Sequence, residues 1–242
     1  TGKPISLGGS EGRMDATARG GWYVISEAAG DYGIQLQGAR VAIQGFGNVG
    51  SFAAVQAVEH GCRVVSVSDS SGGVFSADGL DIGNLASHKK ATGSVRNFPG
   101  AHNISNEELL RLDVEILIPA ALENVITAKN AYDIKARLIA ELANGPMSME
   151  AEYILFSRGI PTIPDFLCNA GGVIVSYFEM VQNFNMDHWE EDEIHRRLHK
   201  KMAGCYQQVR KLASANNVPL RQAAYTIAVG RVVGAMKLRG WI

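Results

Sequence analysis

The sequence predicts an α/β protein, a Rossmann-like, doubly wound and mostly parallel sheet with a C-terminal helical appendage. Three observations carry that expectation. The apolar run "ARVAIQ" (39–44) leads into "GFGNVG", a G-x-G-x-x-G spacing, and then into a helical pattern and a second apolar run. Short apolar runs go on alternating with helical patterns up to "IPTIP" (160–164), as they do in parallel sheets with crossover helices. From Ala170 onward the chain changes character and reads as helix with few breaks.

Taken in order, residues 15–29 are compatible with a helix, and "DYGIQLQG" turns the chain into the first strand at 39–44. A helix from Asn48 places Val49, Phe52, Ala53 and Ala57 on one face and stops at Gly61. "CRVVSVSD" is the second strand, ending in Asp69, and the "SSGG" and "ADG" segments after it read as loops. "SNEELLRLD" (105–113) supplies a serine cap and a short helix before the strand-like "VEILIPAA". "ENVITAKNAYDIKA" reads as helix, "RLIAELA" as a buried strand, "MEAEYILFSRG" as a helix ended by glycine, and "IPTIP" as a short strand. Residues 1–184 are expected to form a dinucleotide-binding domain with its leading helix. Residues 185–242 are expected to form a helical segment broken at "ANNVPL".

A glycine triplet alone is a weak signal in a chain with 27 glycines, but its setting between strand and helix gives each position a task. In the segment Gly45, Phe46, Gly47, Asn48, Val49 and Gly50, the first glycine allows a sharp turn and the second lets backbone approach a pyrophosphate. The third lets the helix pack closely on the strand. The helix N-terminus offers amide donors and partial positive charge to phosphates. Asp69 lies about 20 residues further on, where an acidic side chain accepts hydrogen bonds from ribose hydroxyls, and Ser70 and Ser71 beside it are small donors. Ligands of such sheets sit at the carboxyl ends of the strands. Ala120 and Ala121, Asn144 and Asn169 fall there. An asparagine beside glycine is also an ordinary turn former, but two at successive strand ends favour ligand contact.

With 46% hydrophobic and 19% charged residues and a formal net charge of −1, neither a nucleic acid nor a membrane surface is an expected partner. The basic stretch "HRRLHKK" (195–201) follows "EEDE", as on a helix with sign-mixed faces. Three cysteines, an odd number without metal-like spacing, point to a reducing, cytoplasmic compartment, or to the mitochondrial matrix in a eukaryote. The opening "TGKPISLGGSEGR" reads as the interior of a longer protein.

Six segments, "GGSEGRMDATARG", "VAIQGFGNVG", "SVSDSSGG", "LIPAALENVIT", "ANGP" and "NAGGVIVSYFE", together resemble the glutamate dehydrogenases of the glutamate/leucine/phenylalanine/valine dehydrogenase group, in family order and over essentially the whole chain. The resemblance implies oxidative deamination of L-glutamate to 2-oxoglutarate and ammonia, with hydride transfer to NAD or, alternatively, NADP. It implies Thr17 near the nicotinamide, Arg13 near the amino-acid substrate, Asn48 and Asn144 at cofactor-contacting positions, and Asn169 and Val173 in the reaction pocket. Ser176 matches the serine that helps bind the glutamate side-chain carboxylate; alone it reads as a helix serine bonded back to a carbonyl. The chain departs from the family pattern at Ala18, Leu142 and Met147. Members also carry an N-terminal substrate domain with a catalytic lysine and aspartate and most contacts of a hexameric homo-oligomer. No lysine here has a comparable glycine-rich setting, so no catalytic residue is assigned to this chain and it is expected to be inactive alone.

Two further signals are weaker. "GGSEG" (8–12) fits G-x-S-x-G, but no buried strand precedes it. His195 and His199 are four apart but lack the intervening carboxylate of H-E-x-x-H, so exposed histidines on a charged helix, and no metal site, are expected. Other functional readings are a non-catalytic nucleotide-binding regulator and a relative acting on leucine, phenylalanine or valine.

Overall fold

The computed structural model describes all 242 residues, Thr1–Ile242. Its centre is a seven-stranded sheet in the order β4-β3-β2-β1-β5-β6-β7. The strands are β1 (Arg40–Gln44), β2 (Arg63–Asp69), β3 (Gly72–Phe75), β4 (His102–Ile104), β5 (Ile116–Pro119), β6 (Leu138–Ala140) and β7 (Thr162–Ile163). β2, β1, β5, β6 and β7 run parallel, and β3 and β4 extend the edge antiparallel. The expected mostly parallel, doubly wound sheet is what the chain forms.

The near-continuous apolar strands follow from burial on both faces. Val41 and Ile43, Ile116 and Ile118, Leu138 and Ala140 point into one core; Ala42, Leu117 and Ile139, one residue out of phase, point into a second. The larger core is roofed by α1 (Ala16–Asp31), α2 (Asn48–Glu59), α7 (Gly171–Phe184) and α8 (Glu191–Asn216), the smaller by α4 (Asn106–Leu110) and α5 (Met149–Ser157). Trp22 of α1 is fully buried and donates its indole N–H to the Ala53 carbonyl of α2 at 2.8 Å. α3 (Ile82–Thr92), α6 (Asp165–Cys168) and α9 (Leu220–Leu238) complete the chain. α4 begins with the expected serine cap: Ser105 and Glu108 form a reciprocal capping box. In the C-terminal helical run, Asn217 in the left-handed region and Pro219 end α8 and start α9 at "ANNVPL".

Two expectations are corrected. The "SSGG" segment is not a loop: Ser70 and Ser71 are the turn of a β2–β3 hairpin in which Asp69 pairs with Gly72. Asp69 Oδ1 accepts from the Ser71 amide at 2.9 Å, a local side-chain turn that stands in for a backbone one. "ENVITAKNAYDIKA" is not an α-helix and holds only a 3-10 turn at Ala131–Asp133. Its backbone is claimed elsewhere. The Asn124 and Ile126 amides donate to the carbonyls of Gly145 and Pro146, and Asn130 bonds the Thr127 amide and the Val125 carbonyl through its side chain. Ile126, Ala131 and Ile134 are buried in the second core from this irregular path.

Candidate coenzyme and substrate site

The turn after β1 is shaped by its glycines. Gly45 has φ 102°, a left-handed conformation that disfavours a side chain, and a Cβ there would meet Ala121 Cβ at 2.7 Å. A Cβ on Gly50 would overlap the Gly45 carbonyl oxygen, so α2 starts hard against the end of β1. Gly47 differs: a Cβ there meets nothing within 4 Å, and no side chain caps the α2 N-terminus that it opens. The geometry leaves a small open space in front of helix amides, which suits a phosphate. Asn48 is exposed and Val49 half-buried, while Phe46 is buried.

Asp69 closes β2 beside this turn, and its carboxylate is largely occupied by the protein. Oδ1 accepts from the Ser71 amide and hydroxyl, and Oδ2 accepts from the Val95 amide at 2.8 Å, with Lys89 Nζ at 3.5 Å. Burial works against its ionisation, but the Ser71 and Val95 bonds and the Lys89 charge outweigh it and hold the carboxyl below its usual range. Lys89, on α3, also donates to the Phe46 carbonyl at 2.8 Å and so ties the glycine turn to Asp69. Sequence reasoning missed this residue; nothing local to "HKK" marks it, because the contact depends on how α3 packs. Ser70 is exposed at the same sheet end.

At the ends of the neighbouring strands the two asparagines meet. Asn169 Nδ2 donates to Asn144 Oδ1 at 2.7 Å. Ala120 and Ala121 follow β5, against Gly45.

A second group forms where α1 crosses α7. Arg13 Nε donates to Ser176 Oγ at 3.0 Å, and no carboxylate pairs with that guanidinium. A Cβ on Gly172 would come within 2.6 Å of Thr17 Oγ1 and 3.6 Å of Arg13 Nη1, so the first turn of α7 stands directly against both side chains. Val173, next along, is exposed. The segment leading to Arg13 is strapped to α7: Glu179, fully buried, accepts from the Gly2 amide at 2.8 Å and pairs with Lys3, Gln182 donates to Ser10 and Asn183 to the Gly8 carbonyl. Burial disfavours the Glu179 charge, yet the Lys3 and backbone bonds dominate and pull its carboxyl down to about 2.

The histidines of α8 need one correction. His199 is exposed and lies edge-on to Tyr23, but His195 is half-buried, with Nε2 3.6 Å from Glu191 and close to the backbone at Gly12.

A parallel doubly wound sheet with a glycine turn opening onto an uncapped helix start places the chain among Rossmann-like α/β proteins. More narrowly, it belongs to the glutamate/leucine/phenylalanine/valine dehydrogenase family, whose model matches residues 8–240. It is 49% identical over 241 residues to a glutamate dehydrogenase of Thermotoga maritima, covering 99% of this chain and 58% of that protein. It is 45% identical over 242 residues to a catabolic NAD-specific glutamate dehydrogenase of Bacillus subtilis, covering 100% of this chain and 57% of the relative. The fold superimposes on a leucine-bound, hetero-hexameric glutamate dehydrogenase of Thermus thermophilus with a TM-score of 0.93 at 37% identity, covering 99% of this chain and 56% of that one. The chain thus spans somewhat over half the length of these relatives. No helix is long and apolar enough to cross a membrane.

Proposed function

We propose that these 242 residues are the coenzyme-binding portion of an NAD-dependent glutamate dehydrogenase, with residues 1–184 holding the dinucleotide and residues 185–242 packing outside the sheet. The observation that carries this reading is the open space at Gly47 before the uncapped α2 N-terminus, at the same sheet end as Asp69 and the Asn144–Asn169 pair. The pyrophosphate would lie on the Gly45–Gly50 turn, the adenosine ribose near Asp69 and Ser70, and the nicotinamide toward Thr17, Asn144 and Asn169. NAD, when bound, supplies the hydride acceptor.

An unpaired guanidinium bonded to a hydroxyl, Arg13 with Ser176, suits a substrate that carries carboxylates, and this favours glutamate over leucine, phenylalanine or valine. The same pair argues against a pure nucleotide sensor, which has no use for it. Lys3 is paired with Glu179, and Lys89 with Asp69, so neither is a free amine for imine chemistry. The catalytic lysine and aspartate are assigned to a substrate domain outside these residues, within a hexameric enzyme.

Two experiments test the reading. The chain alone, mixed with saturating glutamate and NAD, is expected to give no steady rise in nicotinamide absorbance; turnover on the order of 1 per second or faster overturns the division of labour. Calorimetry is expected to show NAD bound more tightly than NADP, because a unit charge ~4 Å from a 2′-phosphate costs roughly 1 to 4 kcal/mol between bulk-water and surface-like dielectric. Lys89 offsets part of that repulsion, so the preference is placed near tenfold. Replacing Asp69 with Ser should narrow it mainly by improving NADP affinity; an unchanged ratio removes Asp69 as the selector.

A further inference from the structure

Behind the Asn144–Asn169 pair, four charged side chains from four parts of the chain are packed together. Glu141 follows β6, Glu152 lies on α5, Asp165 opens α6 and Arg221 stands in the first turn of α9. Arg221 donates through Nη1 to Asp165 Oδ1 at 2.9 Å, through Nε to Glu152 Oε2 at 3.0 Å, and through Nη2 to Glu141 Oε2. Glu141 Oε2 also accepts from the Asp165 amide at 2.9 Å, and Asp165 Oδ2 accepts from the Gly145 amide at 2.8 Å. A continuous path of bonds therefore runs from α9 through Arg221 and Asp165 to Gly145, the neighbour of Asn144. The charges do not balance: three carboxylates share one guanidinium, and Glu141 and Glu152 each leave Oε1 buried without a hydrogen-bond partner.

We propose that Glu141, Asp165 and Arg221 are positioning residues for the segment that carries Asn144 and Gly145: ionised Glu141 holds Asp165 and Arg221 in place, Asp165 holds Gly145, and NAD affinity therefore follows the charge on Glu141. This rests on the coenzyme reading above and extends it to residues that touch no ligand. Neutralising Glu141 weakens both bonds that its Oε2 accepts, one to the backbone of Asp165 and one to Arg221. The anchor of Gly145 loosens as a result.

The groups facing Glu141 decide where that happens. Burial pushes its carboxyl up to about 7; Arg221 opposes the rise and Asp165 adds to it. Burial also raises the Glu152 carboxyl, and it raises the Cys168 thiol, with Glu141 and Asp165 adding to that rise, so Cys168 stays neutral. Phe166 lies 6.0 Å from the Arg221 guanidinium and brings no charge. Because the Asn144–Gly145 segment is held for NAD when Glu141 is ionised, affinity rises as the pH passes upward through about 7, and by linkage NAD favours loss of that proton.

The test is calorimetric titration of NAD into the chain from about pH 5.5 to about pH 8.5, a range chosen to bracket the raised carboxyl, with a thermal melt of every variant. Wild-type affinity is expected to fall at least about fivefold from the upper to the lower end. Glu141→Gln should flatten the profile at the weaker level. Asp165→Asn keeps an acceptor beside Gly145 but removes a negative charge facing Glu141, so it should move the midpoint to lower pH. A merely structural cluster would lower the melting temperature without moving that midpoint. A flat wild-type profile, or Glu141→Gln with the wild-type profile, overturns the inference; if Glu141→Gln does not fold, an unmoved midpoint in Asp165→Asn does so. Wild type that binds no NAD at any pH overturns the coenzyme reading itself, and the inference with it.

Discussion

Replacing Gly47 with valine is expected to abolish NAD binding and leave the fold untouched. The backbone there has φ −86° and ψ −159°, an extended conformation open to any residue and favourable to a β-branched one. The added Cβ meets no protein atom within 4 Å, so no packing is disturbed. Substitutions at such open surface positions change stability by about 0.5 kcal/mol or less, or roughly 2 °C in a chain of this size. The valine methyls would instead fill the space in front of the first turn of α2, where the proposed pyrophosphate would approach the amides. A loss of at least about 100-fold in affinity, about 2.7 kcal/mol, is expected by calorimetry. Gly50→Val is the contrasting variant, because its Cβ would strike the Gly45 carbonyl oxygen and cannot be accommodated without moving α2 off β1. It should lose NAD binding and the cooperative melt together. Undiminished affinity in Gly47→Val removes the phosphate from this turn.

How far the sequence foretold this molecule depended on whether the signal was local. β1, α2 and β2 were legible because the apolar runs, the helical spacing of Ala53 and Ala57 and the glycines all lie within thirty or so residues and agree with one another. The stretch 123–136 misled because its helix-like composition is overridden by partners distant in sequence, the carbonyls of Gly145 and Pro146, and by an asparagine side chain that replaces a backbone bond. The same distinction holds within the site. Asn144 and Asn169 could be placed at strand ends, and the structure brings them into contact; that Asp69 is bonded to Val95 and faces Lys89 could not be read, since α3 and Val95 reach it only through the tertiary fold. The Arg221 cluster joins residues up to 80 positions apart, and no spacing rule links them.

That cluster also sets the second large expectation: Arg221→Ala should be among the most destabilising single changes in the chain. The side chain is 14% exposed and is the only cation bonded to Glu141, Glu152 and Asp165, so its removal leaves buried carboxylates uncompensated. Breaking a buried ion pair from one side costs about 3–5 kcal/mol, which corresponds to a fall of about 10 °C in melting temperature for a chain of this length. The loss must depend on pH, and its sign is fixed by Glu141. In the wild type this carboxyl is raised to about 7, against about 4.3 in the unfolded chain, so the folded state binds the extra proton between those values and stability falls as pH rises through that window. Without Arg221, Glu141 loses the charge that opposed its rise, its folded-state pKa climbs further, and the unfavourable window extends above neutrality. Arg221→Ala should therefore be most destabilised near pH 8.5 and recover part of the difference near pH 6, where the carboxyl is already protonated. Arg221→Lys keeps the charge but not the three-way fork of donors, so it should fall between the two at high pH. Thermal melts of the three proteins at both pH values decide the matter: a difference under about 1 kcal/mol, or one that is the same at both, would show that Arg221 is not what makes these buried carboxylates tolerable.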